Sequence, residues 1–134
     1  MGLLIGSASA QTPPKKTTKN LAGTTWRLAH FVGRGGPTLS PVDKAKYTIA
    51  FGQDGTVNVR IDCNRGRGTW KSPGPNQLQF GPLALTRAMC PPAPLNDRLV
   101  KDWPMVRLYT IRDRHLFISL MGDTGVYEFE PLAQ

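Results

Sequence analysis

Only two cysteines and two histidines occur in the 134 residues, and acidic side chains are scarce, nine against seventeen Lys and Arg. Each shortage narrows what the chain can be. Zinc sites draw on Cys and His at short, regular spacings, and neither His30 nor His115 is so placed relative to Cys63 or Cys90. No metal is therefore expected. No serine or carboxylate pattern around either histidine marks a triad or dyad, and no Gly-Lys-Ser or Gly-Lys-Thr opens a helix as a phosphate-cradling loop requires. We therefore expect no catalytic residues, no cofactor and no enzymatic activity. No stretch approaches the roughly 18 consecutive apolar residues that a spanning helix needs. The shortage of acids leaves a formal charge of +8, which favours solubility and contact with anionic surfaces but does not specify a fold.

The length suits one domain. At the start, Ala8-Ser9-Ala10 has the small-x-small form cut by signal peptidase, with Gln11 as the new N-terminus. The apolar run Leu3-Leu4-Ile5 is short and has no basic residues before it, so residues 1–10 are expected to be the remnant of a signal peptide whose true start lies upstream. A cytoplasmic N-terminal extension is the alternative. No cysteine follows the run for lipid attachment. Residues 11–20 lack hydrophobics and read as a solvated linker, which leaves 21–134 as the folded domain.

Period-two hydrophobicity dominates that domain. From Thr24 to Val32 it places Trp26, Leu28, His30 and Val32 on one face. Tyr47, Ile49 and Phe51, a turn at Gly52-Gln53-Asp54-Gly55, then Val57, Val59 and Ile61 predict a hairpin. Short strands are expected around Trp70 and around Leu78 and Phe80, after which Leu83 and Leu85 lead to the second cysteine. Leu95, Leu99, Trp103 and Val106 recur at helical spacing, with Asn96 expected as N-cap and Pro104 near the end. Strands at 106–111, 116–120 and 126–130 close the chain as a meander. The expected class is α+β, predominantly antiparallel: a curved or barrel-like sheet of about eight short strands with one short helix.

Several segments carry a resemblance. Leu21-Ala-Gly-Thr-Thr-Trp26-Arg-Leu28, Phe51 with Asp54-Gly55, Cys63-Asn64 followed by Gly68 and Trp70, and Leu85-Thr86-Arg-Ala-Met89-Cys90 together resemble the META domain of the heat-shock protein HslJ family. The resemblance implies a bacterial envelope or secreted domain, periplasmic or released, linked to stress tolerance including novobiocin resistance. It implies no agreed molecular activity and no catalytic residues. The segment from Pro91 to Met105 is shorter than the family's usual helix. Taken with the two cysteines and the export signal, the resemblance also implies a Cys63–Cys90 disulfide. The competing readings are a reactive thiol pair and a metal site, and Asp62 beside Cys63 opposes activation of a thiol.

Arg60, Arg65, Arg67 and Lys71 gather around the first cysteine with Trp70 close in sequence, a set that could grip phosphates and stack on a planar group. A solvated turn is the plainer reading of the same residues. Three functions follow as expectations: a stress-related, monomeric, disulfide-stapled module that binds an unknown protein or envelope component; a binder of lipopolysaccharide, another acidic polymer or nucleic acid; and a binder of a small apolar ligand held inside the curved sheet. A small hydrolase or thiol enzyme ranks below all three.

Overall fold

The computed structural model describes residues 20–132. The expected signal remnant and all of the linker except Asn20 lie outside them. Ten strands and one helix follow in the order β1 (Thr24–Gly33), β2 (Thr38–Leu39), β3 (Tyr47–Phe51), β4 (Thr56–Ile61), β5 (Asn64–Lys71), β6 (Gln79–Phe80), β7 (Ala84–Leu85), α1 (Pro94–Asp102), β8 (Val106–Arg112), β9 (His115–Leu120) and β10 (Gly125–Pro131).

Eight strands lie in the spatial order β6-β5-β4-β3-β1-β10-β9-β8, while β2 adds to β1 and β7 to β5. Every pairing is antiparallel. The two ends of this path meet. The Leu78 amide donates to the Arg107 carbonyl and the Tyr109 amide to the Asn76 carbonyl, both at 2.9 Å. Closing the sheet in this way removes the free edges that would otherwise template aggregation. The expected barrel-like antiparallel sheet with one short helix is the observed fold.

Inside the barrel, Leu28, Phe51, Val57, Leu78 and Leu116 are fully enclosed. The alternation in β3, β4 and β9 reads directly into this core. In β1 it does not. The pairing with β10 slips between Leu28 and His30, so Ala29 is an extra residue and the face reverses after it. Trp26, Leu28 and Phe31 are buried, whereas His30 is half-buried and Val32 exposed. The single-face expectation for β1 therefore fails at the bulge. His30 ends outside, where it and His115 bind the two oxygens of Glu128 at 3.1 and 2.7 Å, tying β1, β10 and β9 together.

The helix also departs from expectation. It begins at Pro94, whose missing N–H and fixed φ suit a first helical position, and it is capped by Ala93 without a side-chain bond. Val106 opens β8, as the strand expected at 106–111 has it. Asn96 is freed for another use, since its Oδ1 accepts from the Tyr47 hydroxyl and its Nδ2 donates to Asp62 Oδ2 at 2.9 Å. One turn and a half later, Asp102 Oδ2 accepts from the Tyr127 hydroxyl at 2.7 Å and from Arg98 Nε at 3.0 Å. Trp103 then stacks on Phe80, centroids 3.9 Å apart, and donates Nε1 to the Gly81 carbonyl. Two tyrosines of the barrel wall, one from β3 and one from β10, thus hold α1 across its mouth.

Those tyrosines give the fold an alkaline limit. Burial first, then the charge of Asp62, raises the pKa of Tyr47. Burial and then the bond to Asp102 raise that of Tyr127 much further. A folded-state pKa above the unfolded value means the unfolded chain loses its proton first, so stability is intact below about pH 10 and declines as pH rises beyond it. The urea midpoint should be level between about pH 8 and 9.5 and fall above about pH 10, and Tyr127→Phe should make that fall shallower.

Candidate anion-binding face

Ile61 ends β4, and Asp62 takes φ 58°, a left-handed value that Asp tolerates, to turn the chain into β5. Cys63 sits in this turn and is joined to Cys90 by a disulfide. Beside the bridge, Asn64 behaves as a peptide group. Its Oδ1 accepts from the Ala88 amide at 2.7 Å and its Nδ2 donates to the Ala88 carbonyl at 3.1 Å. The Thr86 hydroxyl also donates to Asn64 Oδ1, while its oxygen accepts from the Arg65 amide. Cys-Asn-Arg and Thr-x-x-Met-Cys therefore form one clasp, which delivers the chain from β5 to the start of α1.

The β4–β5 register then determines what faces solvent. Arg60 lies directly opposite Arg65, and Asn58 opposite Arg67. On the far side, Arg60 pairs with Thr48 and Asn58 with Ala50. Small side chains thus form the floor from which the guanidinium groups rise. Along β5, Arg65, Arg67, Thr69 and Lys71 are all exposed, and the residues between them turn inward. Lys71 falls on the same face as the arginines but roughly 13 Å beyond Arg67 at strand spacing. Among the described residues, none of these four cations forms an ion pair with a carboxylate; Arg60 Nε donates instead to the Asp62 carbonyl. Asp54 senses Arg67 weakly. Its pKa is lowered chiefly by the Thr56 hydroxyl and amide.

Arg27 continues the row through Thr48 but is neutralised. Glu130 takes Arg27 Nε at 2.8 Å and Lys44 Nζ at 2.9 Å, and these cations, Lys44 foremost, hold its carboxyl below the usual range. The uncompensated set is therefore Arg60, Arg65 and Arg67, with Lys71 at the end. Sequence reading missed Arg87. It is exposed and without a carboxylate partner among the described residues, and it follows Thr86, whose amide donates to the Arg65 carbonyl. The Thr-Arg step before Cys90 was its only signal. Trp70 does not join the arginines. It points to the other side of β5, donates Nε1 to the Gly52 carbonyl and meets Phe51 edge-on, centroids 5.3 Å apart.

The barrel interior offers less. Between α1 and the wall is a cavity of about 40 Å³, lined by Leu28, Phe80, Leu99, Asp102, Trp103 and Tyr127. Dry cavities that admit benzene are nearer ~150 Å³, so the expected apolar slot is filled by the protein's own side chains up to the volume of a water or two. Among the described residues no helix is long and apolar enough to cross a membrane.

Comparison with known proteins agrees with this architecture. No curated protein matches the sequence. A protein from Burkholderia xenovorans, whose structure was determined by NMR, is 17% identical with a TM-score of 0.71, over 98% of this chain and all of that one. The crystal structure of a DUF4847 family protein from Bacteroides vulgatus is 18% identical with a TM-score of 0.63, over 85% of this chain and 96% of that one. At such identities the likeness concerns the fold alone. The META domain model matches residues 19–131, nearly the whole described domain, and the chain belongs to the META domain family.

Proposed function

We propose that this META domain is a non-enzymatic, extracytoplasmic binding module whose ligand is an anionic polymer, held on the outer face of β4 and β5. The observation that carries the reading is the Arg60–Arg65 register pair with Arg67 beside it, none of the three ion-paired to a carboxylate among the described residues. Like charges directly opposite on neighbouring strands cost stability. A row of them left unneutralised on a flat floor of Thr48, Ala50 and Asn58 is explained by a ligand that supplies the missing negative charge. The Cys63–Cys90 bridge supports placement in an oxidising compartment, outside the cytoplasm. The cleavage-like Ala8-Ser9-Ala10 supports the same placement.

Binding through phosphates or sulfates releases condensed counterions, so affinity should fall steeply with salt. With labelled heparin as probe, the plot of log affinity against log salt should have a slope near −3 for about four engaged cations. Arg65→Glu with Arg67→Glu should weaken binding by about tenfold or more at low salt and flatten the slope by about two. Both substitutions are on exposed positions and the first relieves the like-charge pair with Arg60, so the thermal midpoint should not fall. Retention that ignores salt and both charge reversals would end the polyanion reading.

A further inference from the structure

The row of cations on β5 leads into a second feature. From Arg65 to Lys71 the strand advances roughly 20 Å, and at its end lies an open groove of about 860 Å³ where β5 and β8 approach across the barrel's closing seam. Lys71 belongs to both, as the last cation of the row and as part of the groove wall. The rest of the groove has a different chemistry. Trp70 contributes aromatic surface, and Gln53, Ser72 and Asn76 contribute amides and a hydroxyl.

These groups are set in place. The Trp70 indole is fixed by its bond to Gly52 and its edge-on contact with Phe51. Asn76 adopts φ 62° and spends its carbonyl on the Tyr109 amide and its Nδ2 on the Tyr109 carbonyl, so its Oδ1 remains as an acceptor with no donor among the described residues. The Gln53 amide has no hydrogen-bond partner among the described residues. A carboxamide offers a donor and an acceptor together, which suits a hydroxyl that gives one hydrogen bond and takes another. An aromatic face beside it suits the apolar C–H surface of a sugar ring.

We propose that the anionic polymer is an acidic polysaccharide, its charged groups lying along Arg65, Arg67 and Lys71 and one sugar ring seated in the groove between Trp70, Gln53 and Asn76. This rests on the polyanion reading of the β5 face and sharpens it. A polyphosphate has no hydroxyl donor for Asn76 Oδ1 and no apolar face for the tryptophan. It gains from the cation row alone. A polysaccharide gains from both, and a hydrogen bond or two plus one ring contact correspond to about five- to tenfold in affinity.

The test uses three probes of matched charge: a sulfated heparin octasaccharide, inorganic polyphosphate and an oligo-dT single strand. Each is titrated by fluorescence anisotropy against the unaltered chain, against Gln53→Trp, which fills the groove from an exposed turn position, and against Arg65→Glu with Arg67→Glu. Gln53→Trp should weaken the octasaccharide by about five- to tenfold and leave polyphosphate unchanged, while the double charge reversal weakens all probes. An octasaccharide affinity untouched by Gln53→Trp overturns the groove proposal and leaves the charged face standing. So does equal loss on oligo-dT, which would make the groove a base-stacking site. If the charge reversal affects no probe, the underlying polyanion reading falls instead. Cooperative urea unfolding, with neither variant's midpoint below that of the unaltered chain, confirms that the affinities compare folded chains.

Discussion

Replacing both cysteines, Cys63→Ser with Cys90→Ser, should lower the unfolding free energy by about 3.5 kcal/mol. The bridge spans 27 positions, and the chain-entropy relation gives roughly that value for a loop of such length. For a domain of this size the loss corresponds to a fall of roughly 10–20 °C in thermal midpoint. The dependence on denaturant should steepen, because the uncross-linked unfolded chain exposes more surface. Locally, the Asn64 bonds to Ala88 survive the substitution and keep part of the clasp. Amide exchange should therefore accelerate most at Met89, Cys90 and Ala93, which lie between the Ala88 bonds and the Asn96–Asp62 bond and depend on the bridge for their tie to the β4–β5 turn. Urea titration and native-state exchange of the double variant against the oxidised chain measure both effects. A shift below about 1 kcal/mol would mean that the unfolded chain is already restrained or that the bridge is strained. Titration of two free thiols in the unreduced denatured protein would dispose of the bridge itself.

Much of this was legible from residue order, for reasons that particular elements make plain. Val57, Val59 and Ile61 face one closed core, so their spacing reports it without ambiguity. The cysteine segments were legible because their motif residues bind each other, Asn64 to Ala88 and Thr86 to Asn64. The reversal in β1 left no trace, because an inserted Ala29 is small and apolar enough for either face. Asn96 looks like an N-cap in any local reading, yet a tertiary partner, the Tyr47 hydroxyl, claims its side chain while Pro94 starts the helix two residues earlier. The cation cluster was visible as composition, whereas its pairing was not. That Arg60 faces Arg65 and that Trp70 turns away from both depends on hairpin register. The groove was invisible to sequence, since Gln53, Asn76 and Tyr109 come from three separated turns and strands.

Asp102→Ala should cost about 2–4 kcal/mol, a second large loss and of a different kind. Asp102 is 6% exposed and one of its oxygens serves both the Tyr127 hydroxyl and the Arg98 guanidinium. Truncation strands the buried Tyr127 donor. Arg98 is less affected, because its side chain is 36% exposed and can be rehydrated, and this keeps the cost below that of breaking a fully buried pair. Asp102→Asn retains an acceptor for Tyr127 and should lose only about 1–2 kcal/mol. The decisive comparison is the double variant. If the loss comes from an unsatisfied hydroxyl, adding Tyr127→Phe to Asp102→Ala should recover about 1–2 kcal/mol, since no buried donor is then left without a partner. If the loss comes from repulsion or from the emptied volume, Tyr127→Phe recovers nothing and the two effects add. Urea midpoints of the four proteins in that cycle separate the cases. Trp103 fluorescence reports whether α1 still covers the barrel mouth, because its indole lies on Phe80 only while the helix is seated.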